Sequence, residues 1–126
     1  MEANELRIGN WIFDETTERQ EQVWGIKPDR RNHVMVNDTE IEAIQPIPLT
    51  EEWLLRLGSE LIESGYDEGD VCIYEYSRFR LMWKSLYNYW YIIESTSEEY
   101  LTKIEFVHEW QNFVFAMDDE ELTLNK

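Results

Sequence analysis

Two histidines and one cysteine are the side chains of this 126-residue chain best suited to metal binding or nucleophilic attack. His108-Glu109-Trp110-Gln111-Asn112 opens like the helix motif of zinc proteases. There two histidines one turn apart hold the metal, and the glutamate between them acts as a base. Asn112 stands where the second histidine is required, so His108 is expected to be a half-exposed helix histidine. His33 stands alone at a strand end or loop edge, and the spacing of His33, Cys72 and His108 describes no three-ligand site. A thiolate nucleophile needs a base or cation close by, whereas Cys72 lies in an aromatic strand and reads as a small hydrophobe. The five glycines form no phosphate-binding loop; Gly65 and Gly69 flank acids that repel a phosphate. Glu75, among Val71, Cys72, Ile73, Tyr74 and Tyr76, is the one carboxylate in apolar company. General acid–base work needs a carboxyl held in an apolar site, but a strand-face glutamate facing water is the expected state. The chain therefore reads as non-catalytic, with no metal and no cofactor.

Charge is the stronger signal. Eleven Lys and Arg against 27 Asp and Glu leave a formal net charge of −16. Binding to a nucleic-acid backbone depends on cations that neutralise phosphates, and anchoring on anionic lipid needs basic clusters, so neither is expected. Residues 1–50 carry 5 basic and 10 acidic side chains, and residues 51–126 carry 6 and 17. The candidate partner-binding residues are accordingly Glu98, Glu99, Glu105, Glu109, Asp118, Asp119, Glu120 and Glu121, with Glu94 beside them. One reading makes them a surface that imitates a nucleic-acid backbone and enters the basic groove of a nuclease or repressor. The plainer reading makes them a solvated face that keeps an aromatic-rich domain in solution. Arg78, Arg80 and Lys84 are too few to reverse the field and are expected to pair with nearby acids.

With 43% hydrophobic and 14% aromatic residues, the chain has the means to build a core. A single cysteine makes an internal disulfide impossible. The N-terminus lacks the pattern of a secretory signal, and no apolar run approaches the ~20 residues of a membrane span. A cytoplasmic location in the host cell is expected, with no membrane partner.

The elements that must position these groups follow from periodicity and turn residues. Gly9-Asn10 turns the chain into a strand at Trp11-Ile12-Phe13. Glu21 to Lys27 makes a second strand, and Lys27-Pro28-Asp29-Arg30-Arg31-Asn32 a polar hairpin loop. His33 to Val36 makes a third strand, Asn37-Asp38 a turn, and Glu40 to Ile44 a fourth. Together they predict a small, strongly bent antiparallel sheet, of SH3-like character if it closes. Pro46 and Pro48 exclude a central strand. Thr50 then caps a short helix with Trp53, Leu54 and Leu57 on its buried stripe, and Gly58 stops it; a weaker helical continuation runs through Leu61 and Ile62. Ser64 to Asp70 is a loop. Val71–Tyr76, Arg78–Lys84 and Tyr87–Ile93 predict a three-stranded aromatic sheet, in which Phe79, Leu81 and Trp83 alternate with Arg80, Met82 and Lys84. Glu94 to Glu99 is a polar loop. From Tyr100, Ile104, Val107, Trp110 or Gln111, Val114 and Phe115 recur at helical steps, predicting an amphipathic helix packed on that sheet and ending near Met117. The expectation is one α+β domain over 1–126, with a β portion at 1–49 and helix, sheet and C-terminal helix at 50–126.

Asn4-Glu5-Leu6-Arg7-Ile8-Gly9-Asn10-Trp11-Ile12, the run Ile44 to Leu55, and Val107 to Ala116 followed by Glu120-Glu121-Leu122-Thr123 resemble, as whole segments, a family of small uncharacterised proteins. Its members occur in phages, prophages and mobile elements of anaerobic gut bacteria. The resemblance covers about the first 57 and last 25 residues of the chain. Family members usually carry a helical histidine, glutamine and asparagine where this chain has His108, Gln111 and Asn112. They commonly read Thr-Gly where it has Asp118-Asp119, so this tail is more acidic than usual. The resemblance implies a phage or mobile-element setting and no mechanism. With the charge, it leads to an accessory protein that binds a host or phage protein, a nucleic-acid-binding one in the mimic version. The alternatives are an enzyme or enzyme subunit in which Glu75, His33 or His108 converge in a pocket, and a structural protein that self-associates through exposed Trp and Tyr.

Overall fold

A computed structural model describes residues 3–28, 34–65, 71–84 and 89–124. His33, residues 29–32 of the expected hairpin loop and residues 66–70 of the loop expected from Ser64 to Asp70 lie outside the described residues. The architecture is mixed α+β, with strands predominating, and divides into two compact units. No helix among the described residues is long and apolar enough to cross a membrane.

The first unit comprises Met1–Pro48 and Phe106–Glu121. Its strands are short: β1 (Trp11–Asp14), β2 (Arg19–Gln22), β3 (Ile26–Pro28), β4 (Val34–Val36), β5 (Thr39–Glu40) and β6 (Ile44–Gln45). They form two antiparallel three-stranded sheets, ordered β2-β1-β6 and β3-β4-β5, in place of one four-stranded sheet. The expected strand over 40–44 is broken by a 3-10 turn at Ile41–Ala43. Glu15 N–H bonds to Ala43 O at 2.9 Å, holding this turn against the end of β1, so the halves on either side join different sheets. The expected strand over 21–27 is likewise divided, because the side chain of Asn37 accepts from the N–H groups of Trp24 and Gly25 and pulls that stretch out of the ladder.

Local chemistry accounts for the turns. Asn37 and Asp38 both take positive φ, 52° and 64°, the left-handed pair whose twist suits a two-residue hairpin. Asp14, almost wholly buried, accepts from Thr16 N–H at 2.8 Å and from Thr39 Oγ1 at 2.9 Å, which fixes the end of β1. Leu6, Ile12, Val23, Val36 and Ile44 pack into the apolar centre of the unit.

Helix α2 (Val107–Asp118) belongs to this unit, where it meets β1, whereas the sequence pattern groups it with the aromatic strands. Val107 N–H donates to Ile47 O at 2.8 Å, and Pro48 and Phe106 bridge beside it. The Glu109 carboxylate reaches back to accept from Phe106 N–H at 3.0 Å, satisfying a donor that a helix start leaves open and setting that start after Phe106.

The second unit comprises Leu49–Glu105 and Leu122–Lys126. Thr50 caps α1 (Glu51–Arg56) by accepting from Trp53 N–H at 3.3 Å. Gly58 ends it at φ 97°, with Ser59 N–H bonded to Leu54 O and Gly58 N–H to Leu55 O, the paired bonds of a Schellman stop. A five-stranded antiparallel sheet follows in chain order: β7 (Glu60–Gly65), β8 (Val71–Tyr76), β9 (Phe79–Lys84), β10 (Trp90–Glu94) and β11 (Tyr100–Ile104). Two of its strands were not expected. Leu61 and Ile62 belong to β7, because the Gly58 stop leaves no helix to continue. Tyr100–Ile104 pairs with β10 and is not the first turn of the C-terminal helix.

Alternation fixes the two faces of this sheet. Tyr74, Leu81 and Ile92 lie in one cross-strand row and are buried, with Phe79, Trp90 and Ile104 beside them. Ile73, Met82 and Tyr91 form a row on the opposite face, and Glu75, Arg80 and Ile93 the next. Trp90 Nε1 donates to Leu49 O at 2.9 Å, and Tyr74 stacks edge-on against the Trp90 ring.

Candidate functional site

The structure assembles polar side chains most densely where the N-terminal turn meets α2. Gly9 supplies the geometry: its φ of 100° turns the chain so that its carbonyl faces the helix. Gln111 Nε2 donates to that carbonyl at 3.0 Å, while Gln111 Oε1 accepts from Trp11 N–H at 2.7 Å. One buried amide thus satisfies both a donor and an acceptor of the turn, as a peptide group in a ladder would. Asn112 Oδ1 accepts from Asn10 Nδ2 at 2.8 Å and from Arg7 Nε at 3.0 Å, and Asn112 Nδ2 donates to Glu5 O at 2.8 Å. Arg7 Nη1 pairs with Glu121 Oε2 at 2.7 Å, and its guanidinium lies 4.1 Å over the Phe115 ring. Asn10 Oδ1 accepts from Arg7 N–H at 2.6 Å.

His108 adjoins this cluster without joining it. It is fully buried in the first turn of α2, and its ring stacks parallel to Phe106 with centroids 5.9 Å apart. Its Nε2 lies 3.9 Å from Glu5 Oε1, beyond direct hydrogen-bond length. Burial pushes its pKa below the ordinary 6.5, against the opposing pull of Glu109 and Glu5, so the imidazole is neutral at pH 7. The half-exposed histidine expected from the helix pattern is therefore corrected to a buried one. Among the described residues no three His, Cys, Asp or Glu side chains stand together as a metal site.

The eight acidic candidates divide between the units. Glu98, Glu99 and Glu105 belong to the second, Glu109, Asp118, Asp119, Glu120 and Glu121 to the first. Among them Glu109 caps α2, Glu121 pairs with Arg7, and Asp119 closes the helix in the left-handed conformation at φ 54°. In the second unit, Glu94 accepts from the hydroxyl and backbone groups of Thr96 and Ser97, which hold its pKa down at about 2.

In the second unit Glu75 pairs with Arg80 at 3.2 Å, on the face away from the buried rings. Arg80, Ile73, Met82, Ile93 and Glu98 line an open depression of about 460 Å³ on that face. Cys72 is half-buried, opposite Trp83 in the ladder. Tyr74 donates to Glu51 at 2.8 Å; burial first, and then this carboxylate, push its pKa well above the ordinary range for a phenol.

The cluster at Arg7 was missed as a unit, although both of its halves stand out as segments. The available signal was Gln111, an amide on the apolar stripe of α2, where a polar side chain requires a buried partner. No protein-family model, curated protein or solved structure matches the chain.

Proposed function

We propose that this chain is a non-catalytic accessory protein of a phage or mobile element, acting in the host cytoplasm by binding a host or phage protein. The observation that carries the reading is the interlock of Arg7, Asn10, Gln111 and Asn112. Gln111 and Asn112, two of the three helical side chains that the family resemblance singles out, hold Asn10, Arg7 and the backbone of the N-terminal turn. That use leaves the exterior of a chain whose formal net charge is −16 as the part of the molecule a partner meets. Charge of that size speeds encounter with a basic partner and selects against acidic ones.

The narrower form, an anti-defence inhibitor that mimics nucleic acid, asks the acidic residues to stand outward as a phosphate-like array. The engagement of Glu109, Glu121 and Asp119 in local structure supports docking steered by charge more than an imitation of the duplex. Capture from bacterial host lysate at ~50 mM and ~500 mM salt tests the proposal, since exposed charges are screened within about 10 Å at 0.1 M salt and more closely above it. The expected result is a partner retained at low salt and released at high salt. Recovery of a nuclease or repressor restores the mimic version, and the lack of any salt-sensitive partner overturns both.

A further inference from the structure

Among the described residues of the first unit, five large apolar side chains are exposed: Ile8, Trp24, Ile26, Phe115 and Met117. Trp24 is the most exposed of them at 64%. Its backbone is held firmly: Trp24 N–H donates to Asn37 Oδ1 at 2.7 Å, Gly25 N–H to the same oxygen at 3.2 Å, and Asn37 Nδ2 to Gln22 O at 2.8 Å. The ring is therefore presented on a rigid support, at little cost in ordering on contact.

Backbone and side-chain contacts link the segments that carry Ile8, Trp24 and Phe115. Gly9 N–H bonds to Val23 O at 2.7 Å, which sets Ile8 and Trp24 at neighbouring positions on adjoining segments. Arg7, next to Ile8, lies over Phe115 and pairs with Glu121. Glu121 Oε1 approaches Gly9 so closely that a Cβ there would stand 2.8 Å away. Glu121 is thus brought beside Gly9, with Asp118 to Glu120 directly before it in the chain.

We infer that Ile8, Trp24 and Phe115, with the acidic run Asp118 to Glu121, form a docking surface for a basic amphipathic segment of another protein, in which lysines or arginines flank large apolar side chains. Charge complementarity selects this occupant. A second copy brings the same fifteen acidic and five basic residues of this unit to the contact, and like charges oppose such pairing. An anionic membrane is repelled for the same reason. Tryptophan is one of the side chains enriched among the few residues that dominate binding energy. The inference rests on the binding function proposed above and assigns it a surface.

The experiment uses the full chain and its Trp24→Ser variant as bait for a displayed library of short random peptides. Because Trp24 faces water, the variant is expected to keep the thermal midpoint of the parent. Enriched peptides are expected to combine Lys or Arg with aromatic or aliphatic residues and to bind the parent about 10-fold more tightly than Trp24→Ser, as for a dominant contact residue. A triple variant, Asp118→Asn with Asp119→Asn and Glu120→Gln, is expected to lose most of the salt dependence and several-fold in affinity. Peptides indifferent to Trp24→Ser, acidic peptides, or no enrichment over the variant overturn the inference. So does a parent dimer that light scattering shows to be dissociated by Trp24→Ser, or flotation with phosphatidylcholine vesicles. The same two proteins in the lysate capture separate the two levels. A salt-sensitive partner kept equally by Trp24→Ser overturns this surface and leaves the binding function standing, whereas no partner for either overturns the function itself.

Discussion

The two units reach stability by different means. The second has strands of five and six residues, joined in chain order, with a buried row of Tyr74, Leu81 and Ile92 running across them. Main-chain ladders and ring packing predominate there, and the bonds from Trp90 Nε1 to Leu49 O and from Tyr74 to Glu51 tie the sheet to the segment before it. In the first unit, strands of two to four residues provide few ladder bonds. Amide, guanidinium and carboxylate side chains take over, with Gln111, Asn112, Asn37 and Asp14 bonding backbone groups that no strand reaches. The difference teaches that a concentration of polar residues can signal a scarcity of secondary structure as well as a reactive centre. It also places charge differently from the linear sequence. The first unit, by recovering α2, carries fifteen acidic and five basic residues, against twelve and six in the second.

The comparison is broken most severely from the apolar side. Leu81→Ala removes a fully buried side chain from the middle strand of the five-stranded sheet. It is expected to cost about 2–5 kcal/mol, read as a fall in the urea midpoint. The polar counterpart is Gln111→Ala, which takes the Gln111 amide from Trp11 N–H and leaves Gly9 O with the bond from Gln22 Nε2 at 3.1 Å. Roughly 2 kcal/mol is expected from the lost bonds and the exposed N–H, with faster amide exchange at Trp11. A loss near zero would mean that the turn does not depend on this amide.

Glycine substitutions sharpen the contrast further. Gly9→Ala forces a Cβ onto a backbone of φ 100° and to within 2.8 Å of Glu121 Oε1. A loss of about 1–2 kcal/mol is expected, with the Arg7–Glu121 pair displaced. Gly25→Ala meets nothing within 4 Å and has no such backbone constraint, so it is expected to be neutral or to gain about 0.5 kcal/mol. Thermal midpoints of the two variants, measured together, check the sign of each.

The smallest effect is one of pH. Burial lowers the folded pKa of His108 below its unfolded value of 6.5, so the unfolded chain binds a proton that the folded one refuses. The stabilisation is complete above about pH 6.5 and is lost as pH falls from there toward the folded pKa. Urea midpoints at pH 7.5 and 5.5 are expected to differ more for the parent than for His108→Gln. Equal differences would mean that the imidazole is protonated without penalty.

Much of the second unit was legible in the residues. Thr50, the acidic first turn after it and Gly58 announce α1 by chemistry that acts over four or five positions. The alternation of Phe79, Leu81 and Trp83 announces a half-buried strand. The third aromatic strand was recognised, but its expected start at Tyr87 exceeds what is described, since residues 85–88 lie outside the described residues and β10 opens at Trp90. Tyr100–Ile104 misled because Ile104 and Val107 stand three apart, a helical step that here only spans the junction between β11 and α2. Of the candidate site, the acidic run was visible as composition. Its neighbourhood was not, since the approach of Glu121 to Gly9 joins opposite ends of the chain.

From its residues alone, this protein is determined to be strongly acidic, able to build an aromatic core, and punctuated by caps and turns that act on their nearest neighbours. Only the tertiary structure decided that α2 belongs with the N-terminal strands, that Arg7 meets Asn112 across 105 positions, and that His108 is buried. The reason is range. Periodicity and capping are properties of a few successive residues, whereas the partner of a buried polar group is chosen by which distant backbone groups the folded chain leaves unsatisfied.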